Sequence, residues 1–191
     1  MNEPIVRTRR WTRFDYDKLI DAGFLGPNDK IELLAGQLCV SEPQNSPHAM
    51  RISLGLDALQ KALDPTWHVR VQLPIALDDE SEPEPDLAVV SGGPRDYRDH
   101  PSQPVLVVEV ADSSLAIDRE YKGSLYARAR LPEYWIVNLV DRIIEVYRES
   151  GSDFGAAYGW AYRVMLTLRP DEHVIPLAAP SARILVADLL P

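Results

Sequence analysis

The run PVLVVEV (104–110) constrains the fold more than any other stretch of the chain. It is apolar at successive positions, so an extended backbone there carries a hydrophobic side chain on both faces. Such a strand is stable only where other layers cover it on both sides, which places it inside a sheet flanked by helices. The run also contains its own exception. Alternation puts Val105, Val107 and Glu109 on one face and Leu106, Val108 and Val110 on the other. A carboxylate held there loses its hydration, at a cost of several kcal/mol unless a cation or hydrogen bonds compensate. The plain alternative is that the strand ends at Glu109 and the side chain reaches water.

The neighbouring segments fit an α/β architecture. Residues 11–24 read as a short amphipathic helix with Thr12 at its N-cap, Phe14, Tyr16, Leu19 and Ile20 along it, and Gly23 near its end. IELLAGQLCV (31–40) reads as a hairpin with Ala35 and Gly36 at the turn. Ser46 and Pro47 open a helix whose Ile52, Leu56, Leu59 and Leu63 recur every three or four residues, and Asp64-Pro65 stops it. WHVRVQLPIAL (67–77) alternates but is interrupted by Pro74, as in a bent or edge strand. DLAVV (86–90) is a further strand, a helix is expected over 118–130, and EYWIVN (133–138) and IIEVYR (143–148) form a strand pair, followed by a strand over 160–168. This order predicts a mixed sheet with helices packed on it.

The 191 residues, 46% of them hydrophobic, suit one domain over 1–191, with an N-terminal arm at 1–10 and 151–191 as an added edge. A chain of this length buries roughly 70% of its unfolded surface. The lone Cys39 has no intramolecular disulfide partner, which points to a reducing compartment. The charged start lacks a secretory apolar run, and no stretch reaches the ~20 apolar residues of a membrane span, so the cytoplasm is the expected location. A formal net charge of −9 argues against a protein that coats nucleic acid through a broad basic surface. It leaves room for an enzyme that holds a phosphodiester through bound metal and a few local cations. Arg7, Arg9, Arg10 and Arg13 are the densest basic cluster, and a solvated arm accounts for them.

Two more residues sit where packing alone would not put them. Asp86 follows Pro85 at the mouth of LAVV, and Glu82, Glu84 and Asp86 alternate, so an extended chain would project them to one side. Taken alone this is a solvated acidic loop. Beside Glu109 it becomes an oxygen-rich locus suited to Mg²⁺ or Mn²⁺. Lys122 projects between Leu125, Tyr126 and Ala129 in the apolar stripe of its helix, with Asp118 one turn earlier. It either snorkels and pairs with Asp118 or points at the carboxylates.

EPDLAVV followed by PVLVVEVADSSLAIDREYKGSLYARARLPEYWIVN resembles the Uma-type family of restriction-endonuclease-like proteins, within the PD-(D/E)XK nuclease superfamily. IELLAGQL, SPHAMRISLGLDAL and VRVQLPIAL resemble further segments of that family, so the likeness covers roughly residues 10 to 150. The resemblance implies a restriction-endonuclease-like mixed β-sheet flanked by helices and a metal-dependent cleavage of nucleic acid, DNA in the first place. It maps Asp86 onto the Asp of the PD element and Glu109 onto the (D/E), with the backbone carbonyl of Val110 completing a site for Mg²⁺ or Mn²⁺. The superfamily's usual lysine lies two residues after the acid, where this chain has Ala111. Lys122 matches the family's lysine in the following helix. Glu32, His48 and Gln72 match family positions and are expected to support the centre, and Asn138 stands where many relatives carry Asp.

Two other functions fit the same residues. One is a binding or regulatory module that keeps the fold without catalysis, since fold does not dictate function. The other is a hydrolase of a different phosphoester, such as a nucleotide. A homodimer is also expected, paired about a two-fold axis through IIEVYR or the aromatic tail with Tyr158, Trp160 and Tyr162, unless those rings cap the sheet instead.

Overall fold

The computed structural model describes residues 8–26, 28–41 and 46–190, apart from the side chains of 46 and 47. Arg7 and the first part of the arm lie outside the described residues.

Helix α1 (Arg13–Asp21) starts at a reciprocal cap in which the Thr12 hydroxyl accepts from the Asp15 N–H and the Asp15 carboxylate accepts from the Thr12 N–H. It is shorter at both ends than the 11–24 window. Strands β1 (Ile31–Leu34) and β2 (Gln37–Val40) form the expected hairpin. Its two-residue turn needs positive φ at both positions, and Ala35 (+48°) and Gly36 (+77°) supply it. Arg13 ties α1 to the chain beyond the hairpin: its Nε donates to Glu82 Oε2 at 2.6 Å. Glu82 is only 3% exposed, so this pair holds a buried charge. Arg13→Ala is expected to cost about 3 kcal/mol by leaving that carboxylate under-compensated, seen as a fall on the order of 10 °C in Tm.

Helix α2 (Ser46–Ala62) buries Ile52 and Leu59, with Leu56 and Leu63 partly covered. Gly55 lets it approach the sheet closely, since a Cβ there would stand 2.9 Å from the Leu87 side chain. Strand β3 (Trp67–Val71) stops before Pro74, because proline lacks the N–H a continued ladder requires. Strands β4 (Leu87–Ser91) and β5 (Leu106–Ala111) follow, and β5 is buried at all six positions. After helix α3 (Leu115–Ile117), a π-turn (Asp118–Lys122) and helix α4 (Gly123–Arg128) come β6 (Glu133–Asn138), β7 (Ile143–Ser152) and β8 (Trp160–Leu168). The short strands β9 (His173–Val174) and β10 (Ile184–Leu185) pair with each other.

The six-stranded sheet runs β3-β4-β5-β6-β7-β8. Strands β5 and β6 are parallel, as the α3–α4 crossover between them requires, and the other pairs are antiparallel. One face carries Leu87, Val89, Leu106, Val108, Val110 and Trp135 against α2. The other carries Ala88, Val107, Ala111, Tyr134 and Ile136 against Tyr126. Each fully buried aliphatic side chain contributes about 1.5–3 kcal/mol, which explains why the two-sided run 104–110 becomes an inner strand. Val105 departs from the alternation expected of it. It precedes the strand proper and packs with the α2-side cluster.

The segment expected as one regular helix over 118–130 contains a wide turn. The Gly123 N–H donates to the Asp118 carbonyl, and the Tyr134 hydroxyl donates to the same oxygen at 3.1 Å. Two donors on one carbonyl stabilise the extra residue of a π-turn, a distortion that periodicity cannot register. Strand β7 lies between β6 and β8, so IIEVYR is paired on both sides within the chain and is not a free edge for a second copy. The Tyr162 ring packs on the same chain's tyrosine cluster and its hydroxyl donates to the Leu131 carbonyl at 3.0 Å, so the tail caps the sheet. Among the described residues no helix is long and apolar enough to cross a membrane.

Candidate active site

Strand register brings the two carboxylates together. Leu87 faces Val108 in the antiparallel β4–β5 ladder, so Asp86 and Glu109 stand opposite one another at the next step. Their hydrogen bonds interlock. The Asp86 N–H donates to Glu109 Oε2 at 3.3 Å, and the Val110 N–H donates to Asp86 Oδ2 at 2.8 Å. Both acids are buried, Asp86 at 6% exposure and Glu109 at 3%.

Lys122 and Tyr126, four residues apart across the π-turn and α4, meet the same carboxylate. The Lys122 ammonium donates to Glu109 Oε1 at 2.9 Å, and the Tyr126 hydroxyl donates to that oxygen at 2.8 Å. The Lys122 Nζ also lies 3.9 Å from Glu32 Oε2. Glu32 is held in β1 by the Ser41 hydroxyl and by the Glu84 N–H at 3.2 Å. On the other side of the centre, His48 Nε2 and Gln72 Nε2 each approach Asp86 Oδ1 to 3.4 Å. The sheet thus supplies Asp86 and Glu109, the hairpin Glu32, α2 His48, and the wide turn Lys122.

These groups open into a cleft of about 370 Å³ lined by Glu32, His48, Asp86, Glu109, Val110 and Lys122 among others. Gln72 contacts Asp86 but does not line the cleft. Glu84 does line it, whereas Glu82 turns away to Arg13, so the alternating acids of 82–86 do not share one side. Asn138 lies elsewhere, donating to Glu145 at 2.7 Å and Asp141 at 2.9 Å.

Electrostatically the site is crowded with negative groups. Burial pushes the Glu109 carboxyl up to about 8 against the pull of Lys122, and the neighbouring Asp86, Asp118 and Glu32 push the same way. Asp118 is likewise raised by burial, again opposed by Lys122. Burial works against the Lys122 ammonium, yet Glu109, Glu32 and Asp118 outweigh it and hold the group well above the usual lysine range. The Asp86 hydrogen bond raises His48. Among the described residues no set of three His, Cys, Asp or Glu side chains converges as a ready-made cation cage. The oxygen-rich floor of the cleft is the Asp86 and Glu109 carboxylates, with Val110 beside them.

By helical periodicity Tyr126 counts only as an apolar-stripe residue and Asp118 only as a partner for Lys122. Both belong to the centre: Tyr126 through its hydroxyl, and Asp118 as a 2% exposed carboxylate lining the cleft. The spacing Asp118, Lys122, Tyr126 along one helical segment was the available signal.

No curated protein matches the chain. Among solved structures, a protein from Anabaena variabilis titled "putative nuclease belonging to DUF820" superposes with a TM-score of 0.69 over 97% of each chain, at 16% identity. That likeness shows the fold, a mixed α/β sheet flanked by helices as in that nuclease-like structure. Residues 15–182 match the Uma2 family, described as "Putative restriction endonuclease". The match spans the hairpin, both candidate carboxylates and the lysine-bearing turn, and the chain belongs to the Uma2 family.

Proposed function

We propose that this chain is a metal-dependent endonuclease that hydrolyses phosphodiester bonds in nucleic acid, with DNA as the first substrate. The observation that carries the reading is the interlocked Asp86–Glu109 pair with the Lys122 ammonium 2.9 Å from Glu109 in an open cleft. The family's description and the Anabaena protein's title, which both speak of nucleases, point the same way.

The residues fit a hard divalent cation. Mg²⁺ is commonly held by only one or two carboxylates and keeps several of its waters, so an all-oxygen pair suffices without a third acidic ligand. Asp86, Glu109 and the Val110 carbonyl would hold Mg²⁺ or Mn²⁺. When bound, such an ion acts as a Lewis acid on the scissile phosphate and lowers the pKa of water. The chain's own groups do the rest. Lys122 stabilises charge that builds on the phosphate oxygens as a water oxygen joins phosphorus and the ester P–O bond breaks. The proton of that water ends on the leaving oxygen. His48 and Gln72 steady Asp86, and Glu32 helps to hold Lys122 in line.

Asp86→Asn is expected to abolish Mn²⁺ binding and cleavage together. Calorimetric titration with MnCl₂ reads the first, and a gel assay on plasmid DNA, single-stranded DNA, RNA and mononucleotides reads the second. Cleavage of nucleotides alone would replace the nuclease with a smaller phosphoesterase. No heat of Mn²⁺ binding in the parent protein would leave a non-catalytic module of the same fold. Cleavage by Asp86→Asn at the parent's rate would sink the assignment.

The same reading takes residues 1–191 as a single domain acting in the cytoplasm, supported by the pairing of β8 onto β7 and by the lone Cys39. Homodimerisation falls to the outer strand β8, which leaves Met165 and Leu166 exposed. Sedimentation at the 21.5 kDa of one chain would remove that part of the proposal.

A further inference from the structure

We propose that Tyr126 is a positioning residue that fixes the rotation of the Glu109 carboxylate, committing Oε1 to the helix side and presenting Oε2 to Asp86. This deepens the metal-centre reading and rests on it for its functional meaning. The two oxygens of Glu109 are unequally used. Oε1 accepts from both Lys122 and Tyr126, at 2.9 and 2.8 Å, whereas among the described residues Oε2 accepts only the longer Asp86 N–H at 3.3 Å. Two donors fill the lone pairs of Oε1. Oε2 keeps capacity for a cation shared with Asp86.

The terminal carboxylate torsion is soft and broad, so some neighbour must make it single-valued. Lys122 is poorly suited to that task, because an ammonium on a four-carbon stem has three rotatable donors and can follow a turning carboxylate. Tyr126 is well suited. Its side chain is fully buried, and its ring packs 4.9 Å from that of Tyr134. A ring held in this way aims its O–H along one direction. Burial also keeps the phenol protonated and therefore a donor. Partners of this kind, one bond removed from the metal, commonly govern affinity by 10–100-fold.

The test compares Tyr126→Phe with Tyr162→Phe. The control loses a hydroxyl from the same tyrosine cluster, one that donates to the Leu131 carbonyl and, among the described residues, makes no hydrogen bond to Asp86, Glu109 or Lys122. Three quantities are read: the ¹³C resonance of the Glu109 carboxyl in metal-free, glutamate-δ-labelled protein (assigned by its loss in Glu109→Gln), the Kd for Mn²⁺, and Tm. Tyr126→Phe should shift the Glu109 resonance and raise the Kd about tenfold or more. Tyr162→Phe should alter Tm alone. An unmoved Glu109 resonance in Tyr126→Phe, or an equal rise in Kd in both variants, overturns the proposal. If the parent protein takes up no Mn²⁺, the metal reading falls by itself, and the metal-free resonance still decides whether Tyr126 holds Glu109.

Discussion

At pH 7, Glu109→Gln is expected to eliminate Mn²⁺ binding and cleavage while leaving the metal-free protein as stable as the parent, or more stable. The reason lies in what burial does to this carboxyl. Its pKa stands at about 8 in the folded chain, so near neutrality the folded protein carries it largely protonated. Glutamine has the shape of that protonated form, and its amide oxygen can still accept from Lys122 and Tyr126. The unfolded chain, by contrast, ionises Glu109 at the ordinary carboxylate value. The folded state therefore binds more protons, and stability attributable to this group is lost as pH rises from about 4.5 to about 8. Thermal melts of the metal-free parent should show that decline, and Glu109→Gln should be free of this contribution. Metal uptake has the opposite dependence, because a cation must displace the proton: the parent's Mn²⁺ affinity should climb over the same range. A Glu109→Gln protein that still bound Mn²⁺ would remove the acid from the centre, and parallel melting profiles would remove the raised carboxyl.

Lys122→Met is expected to separate binding from chemistry. Lys122 faces Glu109, Glu32 and Asp118, and its ammonium lies 2.9 Å from the first and 3.9 Å from the second. Without it Glu32, Asp118 and the ionised fraction of Glu109 lose their counter-charge, so the metal-free variant should be destabilised by about 3 kcal/mol. Mn²⁺ should bind nonetheless, since the carboxylates remain, and should restore much of the lost Tm by mass action. Cleavage should still fall by about 10³-fold, equivalent to ~4 kcal/mol of barrier, because no cation meets the charge building on the phosphate. Calorimetry, melts with and without Mn²⁺, and single-turnover cleavage measure the three effects. Loss of Mn²⁺ binding in this variant would make Lys122 a structural support for the carboxylates and nothing more.

Much of the architecture could be read from local chemistry. The two-sided run 104–110 located the inner strand, Ala35-Gly36 the hairpin turn, and Thr12 the start of α1. What failed did so for a shared reason. The wide turn at 118–122 depends on a hydroxyl from β6, Tyr134, reaching the Asp118 carbonyl. The divergence of Glu82 from Glu84 and Asp86 depends on Arg13, distant in sequence. Strand β7 was a candidate dimer edge until β8 closed it.

The order of residues alone determined that a carboxylate would sit in an apolar strand, that another would stand at the mouth of a neighbouring one, and that a lysine would lie in the buried stripe of the helix between. Side-chain polarity and backbone periodicity are local properties, so one strand or one helix suffices to expose such anomalies. Only the tertiary structure decided that the three meet, because meeting depends on the register of β4 against β5 and on how the crossover helix docks over it. It alone also assigned the donors to each oxygen of Glu109, giving Tyr126 its place there, since a hydroxyl's partner is set by angstrom-scale packing that no residue spacing encodes.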